Sequence, residues 1–384
     1  LNSMAKLIST ILSSLFPDFL HSHERNSSEK KLREVMDLIN TVMNWVVPPA
    51  TMVMLACAWP ALCFLSVCEW LYKSFYKEDM EDKVVIITGA SSAIGEQLSF
   101  EYARRRANLV LVAKRESRLR AIAENCRYFG AKHVMIVGAD VVKEDECRRF
   151  VNEVVNFHGR VDHLVNTASL GHSFYLEEVA DTSVFPHLLD INFWGNVYPT
   201  VAALPFLHQS NGRIIVNAAV ESWLPLPRMS LYSAAKTALI NFYETLRFEV
   251  HDEVGITIAT HGWIGSEMGR GKFMQEDGAE MQWKEDGEGN GSSGAMEEYA
   301  RRIVSGACRG EQHVKYPSWY DIFFVYRAFV PSVLNWTFKL LLSTGSRRFN
   351  ITDSAGRLEI EGASPRRQLG TPITMSPLSP PRVY

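Results

Sequence analysis

From Lys83 to about Gly262 the chain alternates short β-branched runs with amphipathic stretches. The runs are Val84–Thr88, Leu109–Ala113, His133–Val137, His163–Asn166, Arg213–Asn217 and Ile256–Ala259. Between the first four, Gln97–Arg105, Ser117–Phe129 and Lys143–Phe157 carry apolar residues at helical spacing. Strands this short and apolar have to be covered on both faces, and parallel neighbours need helical crossovers. The rhythm predicts an α/β domain over residues 83–263, a doubly wound parallel sheet with helices on each side. Composition agrees: 47% hydrophobic and 22% charged residues in 384 suffice for a large core and exclude a chain disordered throughout. With 40 Lys+Arg against 43 Asp+Glu, the net charge of −3 also excludes a strongly basic nucleic-acid binder.

The flanks are different in kind. Between Asp37 and Glu69 there is no charged residue. As one helix this block would run on the order of 45 Å, against a hydrocarbon core of about 30 Å. Pro48, Pro49 and Pro60 argue against a straight helix of that length. Residues 36–77 are therefore expected to be a membrane- or lipid-inserting anchor with one of two geometries. One is a kinked span over Thr51–Tyr72; the other is a hairpin that enters one leaflet and returns, its arms of about 22 Å too short to cross. A cleaved signal peptide is disfavoured because Met36–Asp37 lacks positive charge. Residues 1–35 read as an N-terminal extension, with Met36 a candidate start. Beyond the sheet domain, residues 264–345 are expected to form a cap. It holds a Gly-rich acidic insertion over Glu276–Gly294 expected to be mobile, a helix at Glu297–Ile303, and an aromatic stretch Trp319–Leu342 that packs on the sheet or lies on a membrane. The tail 346–384, with five of the sixteen prolines, is expected to be disordered. None of the six cysteines has the spacing of a zinc pair or a redox CxxC, so a reducing compartment is expected and no metal site.

Three motifs carry chemistry. Thr88-Gly89-Ala90-Ser91-Ser92-Ala93-Ile94-Gly95 follows the first strand and opens the first helix, where backbone N–H groups can cradle a pyrophosphate. Lys114 and Arg115 end the second strand, where an acid would bind the ribose of NAD; two cations suit the 2′-phosphate of NADP instead. Tyr232 and Lys236 lie four residues apart on one helix face, so the ammonium can favour the phenolate and make the phenol a usable acid/base.

With these motifs in order, residues 83–263 resemble the short-chain dehydrogenase/reductase family, whose domain is a Rossmann fold. Further collinear matches are Asp140-Val141 after the third strand, Asn166-Thr167-Ala168-Ser169 at the family's NNAG, and Asn192 in Asp190-Ile191-Asn192-Phe193-Trp194-Gly195. The resemblance implies that Gly89, Ser91, Ser92, Ile94, Gly95, Lys114, Arg115, Asp140, Val141, Asn166 and Ala168 line the cofactor. Asp140 would meet the adenine, Lys236 the nicotinamide ribose, and Asn192 a proton-relay water, with Tyr232 the acid/base. The proline-bearing leader, Trp223-Leu224-Pro225 and Thr260-His261-Gly262-Trp263 are further similar to the steroleosins, plant oil-body proteins named as hydroxysteroid dehydrogenase-like, which favours the hairpin.

Four positions depart from the pattern: Ala93 for a turn glycine, Ser169 for the last glycine of NNAG, His261 for a proline, and Ala219 at the family's catalytic serine. Losing one preorganised donor to the substrate oxygen costs about 10²–10³ in kcat. Ser222, in the following loop, is a candidate substitute, and Ala219 and Ser222 are expected at the substrate. The resulting expectation is an NADP-dependent oxidoreductase, with NAD the weaker candidate, acting on a sterol-like alcohol or ketone at a lipid-droplet or endoplasmic-reticulum surface, its dehydrogenase domain facing the cytosol. A lipid-droplet coat protein with an impaired catalytic domain is the alternative, and a homodimer is one assembly the sequence leaves open.

Overall fold

The structure, a computed structural model, describes residues 25–75, 77–172, 174–176, 179, 182–224, 226–251, 253–262, 272–274, 280–282 and 290–345. The extension 1–24, the tail 346–384 and most of the acidic insertion lie outside them.

The leader forms α1, Arg25–Phe75, one helix that passes unbroken through Pro48, Pro49 and Pro60. This corrects the hairpin. Each proline removes only its own N–H bond to the preceding turn, and the flanking bonds and apolar side chains carry the helix on. Thr51 Oγ1 donates to Val47 O at 2.7 Å in the turn after the first two prolines. The segment Arg33–Cys68 is long and apolar enough to cross a membrane, and its residues are exposed among the described residues.

The sheet domain follows. β1 (Val84–Thr88), α2 (Ala93–Arg104), β2 (Asn108–Ala113), α3 (Glu116–Phe129), β3 (Val134–Gly138), α4 (Glu144–His158) and β4 (His163–Asn166) alternate as expected. β5 (Gly171–His172) is short, α5 (Phe185–Leu189) leads through one π-helical turn into α6 (Gly195–Ser210), and β6 (Arg213–Ala219) precedes α7 (Ser230–Glu249) and β7 (Gly255–His261). After the short strands β8 (Lys272–Met274) and β9 (Glu280–Gln282) come α8 (Asn290–Cys308) and β10 (His313–Tyr316). The order β10-β7-β6-β4-β1-β2-β3 is parallel throughout. Thus α8 and β10, from the stretch read as a cap, complete the sheet domain.

Two cores cover the sheet. One packs Leu98, Tyr102, Ile122, Tyr299 and Ile303 of α2, α3 and α8 on one face. The other packs Phe150, Val154, Leu207, Leu239 and Tyr243 of α4, α6 and α7 on the opposite face. The aromatic stretch becomes α9 (Asp321–Phe329) and α10 (Pro331–Gly345). Their inner side, with Phe323, Leu334 and Phe338, packs on Val220, Trp223 and Leu224 just after β6. Phe324, Phe329 and Trp336 of these helices, and Trp319 in the turn before them, are exposed.

Candidate active site

The chain runs outward from β1 to β2 and β3, then returns to place β4 on the other side of β1. At such a reversal the loops leaving the carboxyl ends of the two central strands diverge and open a crevice. Thr88 and Asn166, paired across β1 and β4, mark its floor. Gly89 takes φ +63°, and a Cβ there would sit 2.9 Å from Thr167 Oγ1 and 3.0 Å from Ala168 N. A Cβ on Gly95 would meet Gly89 O at 2.4 Å. Both glycines are therefore required for the turn to close on α2 and the floor. Ser92 caps α2 by accepting the Gly95 N–H at 3.0 Å, and Ala93 starts the helix without a positive φ, so its methyl costs no backbone strain. Ser91 and Ile94 are buried in the same turn. This glycine-bounded helix N-terminus fits a dinucleotide pyrophosphate.

At the adenosine end the structure brings Lys114 and Asp140 together, Nζ to Oδ2 at 3.0 Å. Asp140 also accepts the Val142 N–H at 3.2 Å and, through its own N–H, donates to Glu146 at 2.6 Å. Val141 is buried beside it and Arg115 stands at the entry of α3. Lys114 and Arg115 lie between the end of β2 and the start of α3.

Asn166 and Asn192 are committed to the protein. Asn166 Nδ2 donates to Asn196 O, Thr200 Oγ1 and Tyr243 OH at 2.9–3.1 Å, and its Oδ1 accepts from Thr88. Asn192 sits in the π-turn Asp190–Trp194. Its Nδ2 donates to Leu170 O at 2.7 Å and Leu188 O at 2.9 Å, while its Oδ1 accepts from Leu170 N and from Ser169 Oγ, both at 3.1 Å. The serine that replaces the family's glycine thus fastens the asparagine. Its side chain is fully used, and its backbone carbonyl accepts from Asn196 Nδ2 at 3.0 Å. Ala168 lies buried between these two asparagines, its carbonyl taken by Asn196 at 3.2 Å.

Tyr232 and Lys236 are both buried, with Nζ 5.6 Å from the phenol ring centroid. Lys236 donates to Asn217 O at 3.1 Å. Asn217 Oδ1 in turn accepts from Tyr299 OH at 3.1 Å, and the Tyr299 ring meets His261 edge-on at 5.8 Å. The methyl of Ala219 packs with Tyr232 and Met229. Ser222 is 7% exposed, and its Oγ has no hydrogen-bond partner among the described residues; its carbonyl accepts from Thr237 Oγ1. A buried hydroxyl left unpaired is costly unless something else completes it. Sequence reasoning missed Ser169 as a ligand of Asn192, and it missed Asn217, Tyr299 and His172. None of these has a local spacing signal, since each acts on a partner far along the chain.

The arrangement offers a phosphate cradle, a phenol beside an ammonium, and an apolar cover. Comparison with known proteins shows the family. The short chain dehydrogenase model matches residues 83–277. The chain is 67% identical over 347 residues to the 11-beta-hydroxysteroid dehydrogenase B of Arachis hypogaea, covering 89% of this chain and 98% of that protein. It is 64% identical over 351 residues to the 11-beta-hydroxysteroid dehydrogenase-like 5 of Arabidopsis thaliana, covering 91% and 89%. Among solved structures, an alcohol dehydrogenase from Thermococcus sibiricus complexed with 5-hydroxy-NADP aligns at 27% identity and a TM-score of 0.45, over 51% of this chain and 86% of that one. A chain with this sheet, this crevice and these relatives belongs to the short-chain dehydrogenase family of oxidoreductases.

Proposed function

We propose that the protein is an NADP-dependent oxidoreductase acting on a sterol-like alcohol or ketone at the surface of a lipid droplet or the endoplasmic reticulum, with the sheet domain in the cytosol. The observation that carries this reading is the buried Tyr232–Lys236 pair, with Lys236 bonded to Asn217 at the carboxyl edge of the sheet, the same edge from which the glycine turn leaves β1. Gly89, Ser91, Ser92, Ile94 and Gly95 would hold the pyrophosphate, and Lys114 with Arg115 the 2′-phosphate. Asp140 and Val141 would border the adenine, and the backbone of Asn166 and Ala168 the crevice floor. When bound, the nicotinamide donates or accepts a hydride. Tyr232 moves the matching proton, giving it to the substrate oxygen in reduction and taking it in oxidation. Lys236, fixed by Asn217 O, stabilises the phenolate that remains, and Asn192, fastened by Ser169 and Leu170, would border the water through which the proton is replaced. Ser222 supplies the hydroxyl that Ala219 lacks.

Support for the lipid surface comes from two features. α1 carries a 36-residue segment able to cross a membrane. The outer sides of α9 and α10 expose Phe329 at 79% and Trp336 at 64%, aromatic groups of the kind that settle at a lipid–water boundary. Because the inner sides of those helices lie on the loop that holds Ser222, an apolar substrate leaving lipid would reach Tyr232 with a short passage through water.

The test is turnover of sterol alcohols and ketones by the purified full-length chain in detergent, run with both nicotinamide cofactors. NADP(H) is expected to support turnover better than NAD(H), and Tyr232→Phe to lower kcat by about 10²–10⁴. A second reading, a lipid-droplet coat protein with impaired catalysis, draws on Ala219. Cofactor binding without turnover, unimproved by Ala219→Ser, would select it.

A further inference from the structure

The helix that carries Tyr232 begins without a cap of its own. α7 starts at Ser230, and Met229 at its N-cap offers no side-chain acceptor. Ser233 N–H reaches Met229 O at 2.8 Å, so the N–H groups of residues 230–232 have no partner within the helix. Leu231 N–H is met instead from a distant segment: it donates to His172 Nε2 at 3.1 Å. His172 is fully buried, and its ring lies tilted on Phe174 with centroids 4.4 Å apart. Burial pushes the imidazole down to about 4, so the ring stays neutral and Nε2 stays an acceptor at physiological pH. With Nε2 accepting, the proton sits on Nδ1, which has no partner among the described residues. The one polar task of this ring is to terminate α7.

The same segment holds the chain just ahead of the helix. Arg228 adopts φ +69°, a left-handed conformation unusual for a residue with a side chain, and its guanidinium lies 4.9 Å above the Tyr175 ring. On the far side, Gly171 and His172 pair with Phe273 and Met274 of β8. Gly171 and His172 are therefore tied to β8 at one edge, and His172 and Tyr175 to residues 228–231 at the other. The pair Gly171–His172 also continues directly from Ser169 and Leu170, which hold Asn192.

We propose that His172 is a positioning residue for the acid/base Tyr232. By accepting the Leu231 N–H it keeps the first turn of α7 wound. That turn sets Tyr232 four residues from Lys236 on one face and within the positive end of the helix, where a phenolate is favoured. Without the acceptor, the turn frays and Tyr232 loses both. The inference rests on the oxidoreductase reading for its kinetic consequences but not for its structural one.

Two variants test it in the full-length chain. His172→Phe keeps the ring and its stacking on Phe174 but deletes the acceptor, while His172→Gln keeps an acceptor. His172→Phe is expected to lower kcat about tenfold and to move the limb of the pH–rate profile that reports the acid/base to higher pH, with the dissociation constant for NADPH and the thermal midpoint little changed. His172→Gln is expected to restore most of kcat and return the limb. Amide exchange over residues 228–236 should quicken in the Phe variant alone. Unchanged kcat and unchanged exchange in His172→Phe would overturn the proposal. So would an equal loss of kcat, cofactor binding and thermal midpoint in both variants, which would make His172 a core residue only. Should the wild-type chain prove inactive, the oxidoreductase reading fails, and the exchange comparison still decides the role of His172.

Discussion

Ser169, Ala219 and Ser222 show how single positions can move away from a family pattern without dismantling the site. Ser169 adds a hydroxyl where glycine is usual and uses it on Asn192 Oδ1 at 3.1 Å. Ala219 withdraws a hydroxyl at Tyr232, and Ser222 holds one close by in sequence that is buried and has no partner among the described residues. If Ser222 serves the substrate oxygen, Ser222→Ala should lower kcat about 10–100-fold while cofactor affinity holds, and Ala219→Ser should raise kcat; steady-state kinetics on the two variants checks both. Two buried thiols are held protonated: burial raises Cys126 and Cys147 to about 12, so neither forms a reactive thiolate near neutral pH. The Tyr232–Lys236 pair was legible from the residues because it is local, two side chains one turn apart on one helix. The roles of Ser169 and His172 were not, because their partners lie 23 and 59 positions away and only the folded sheet brings them near.

Among the elements, the turn between β1 and α2 is the least tolerant of change. A Cβ on Gly95 would press on the backbone oxygen of Gly89, which no side-chain rotation can relieve. Gly95→Ala is expected to cost about 1–3 kcal/mol of stability and to weaken NADPH binding at least tenfold, measured by thermal unfolding and fluorescence titration. Ala93, two residues earlier, tolerates its methyl because it already lies in the helix. The six strands of the alternating region were legible because period-two and helical patterns change over cleanly there. β10 was not: His313–Tyr316 is four residues long and becomes a strand through its pairing with β7, Val314 opposite Ala259. α1 also departs from expectation. Proline content pointed to a break, yet enough of the helical bonding survives on each side of Pro48, Pro49 and Pro60 for one continuous helix.

The whole molecule divides its apolar surface between two solvents. The cores on either face of the sheet hide theirs inside the protein, while α1 and the outer sides of α9 and α10 present theirs outward. This division accounts for a 47% hydrophobic composition in a chain whose net charge is only −3. It also places the apolar exterior and the crevice within one polypeptide, as the proposed action on a substrate drawn from lipid requires. The most direct test of the central claim is to supply the full-length chain with NADPH deuterated at the transferable position of C4 and a sterol ketone in detergent micelles, and to follow the label by mass spectrometry. Deuterium on the carbinol carbon of the product, falling by at least 10² in rate with Tyr232→Phe, is the predicted result. NADPH bound at the crevice with no label transferred, in the wild-type chain and in Ala219→Ser alike, would contradict it.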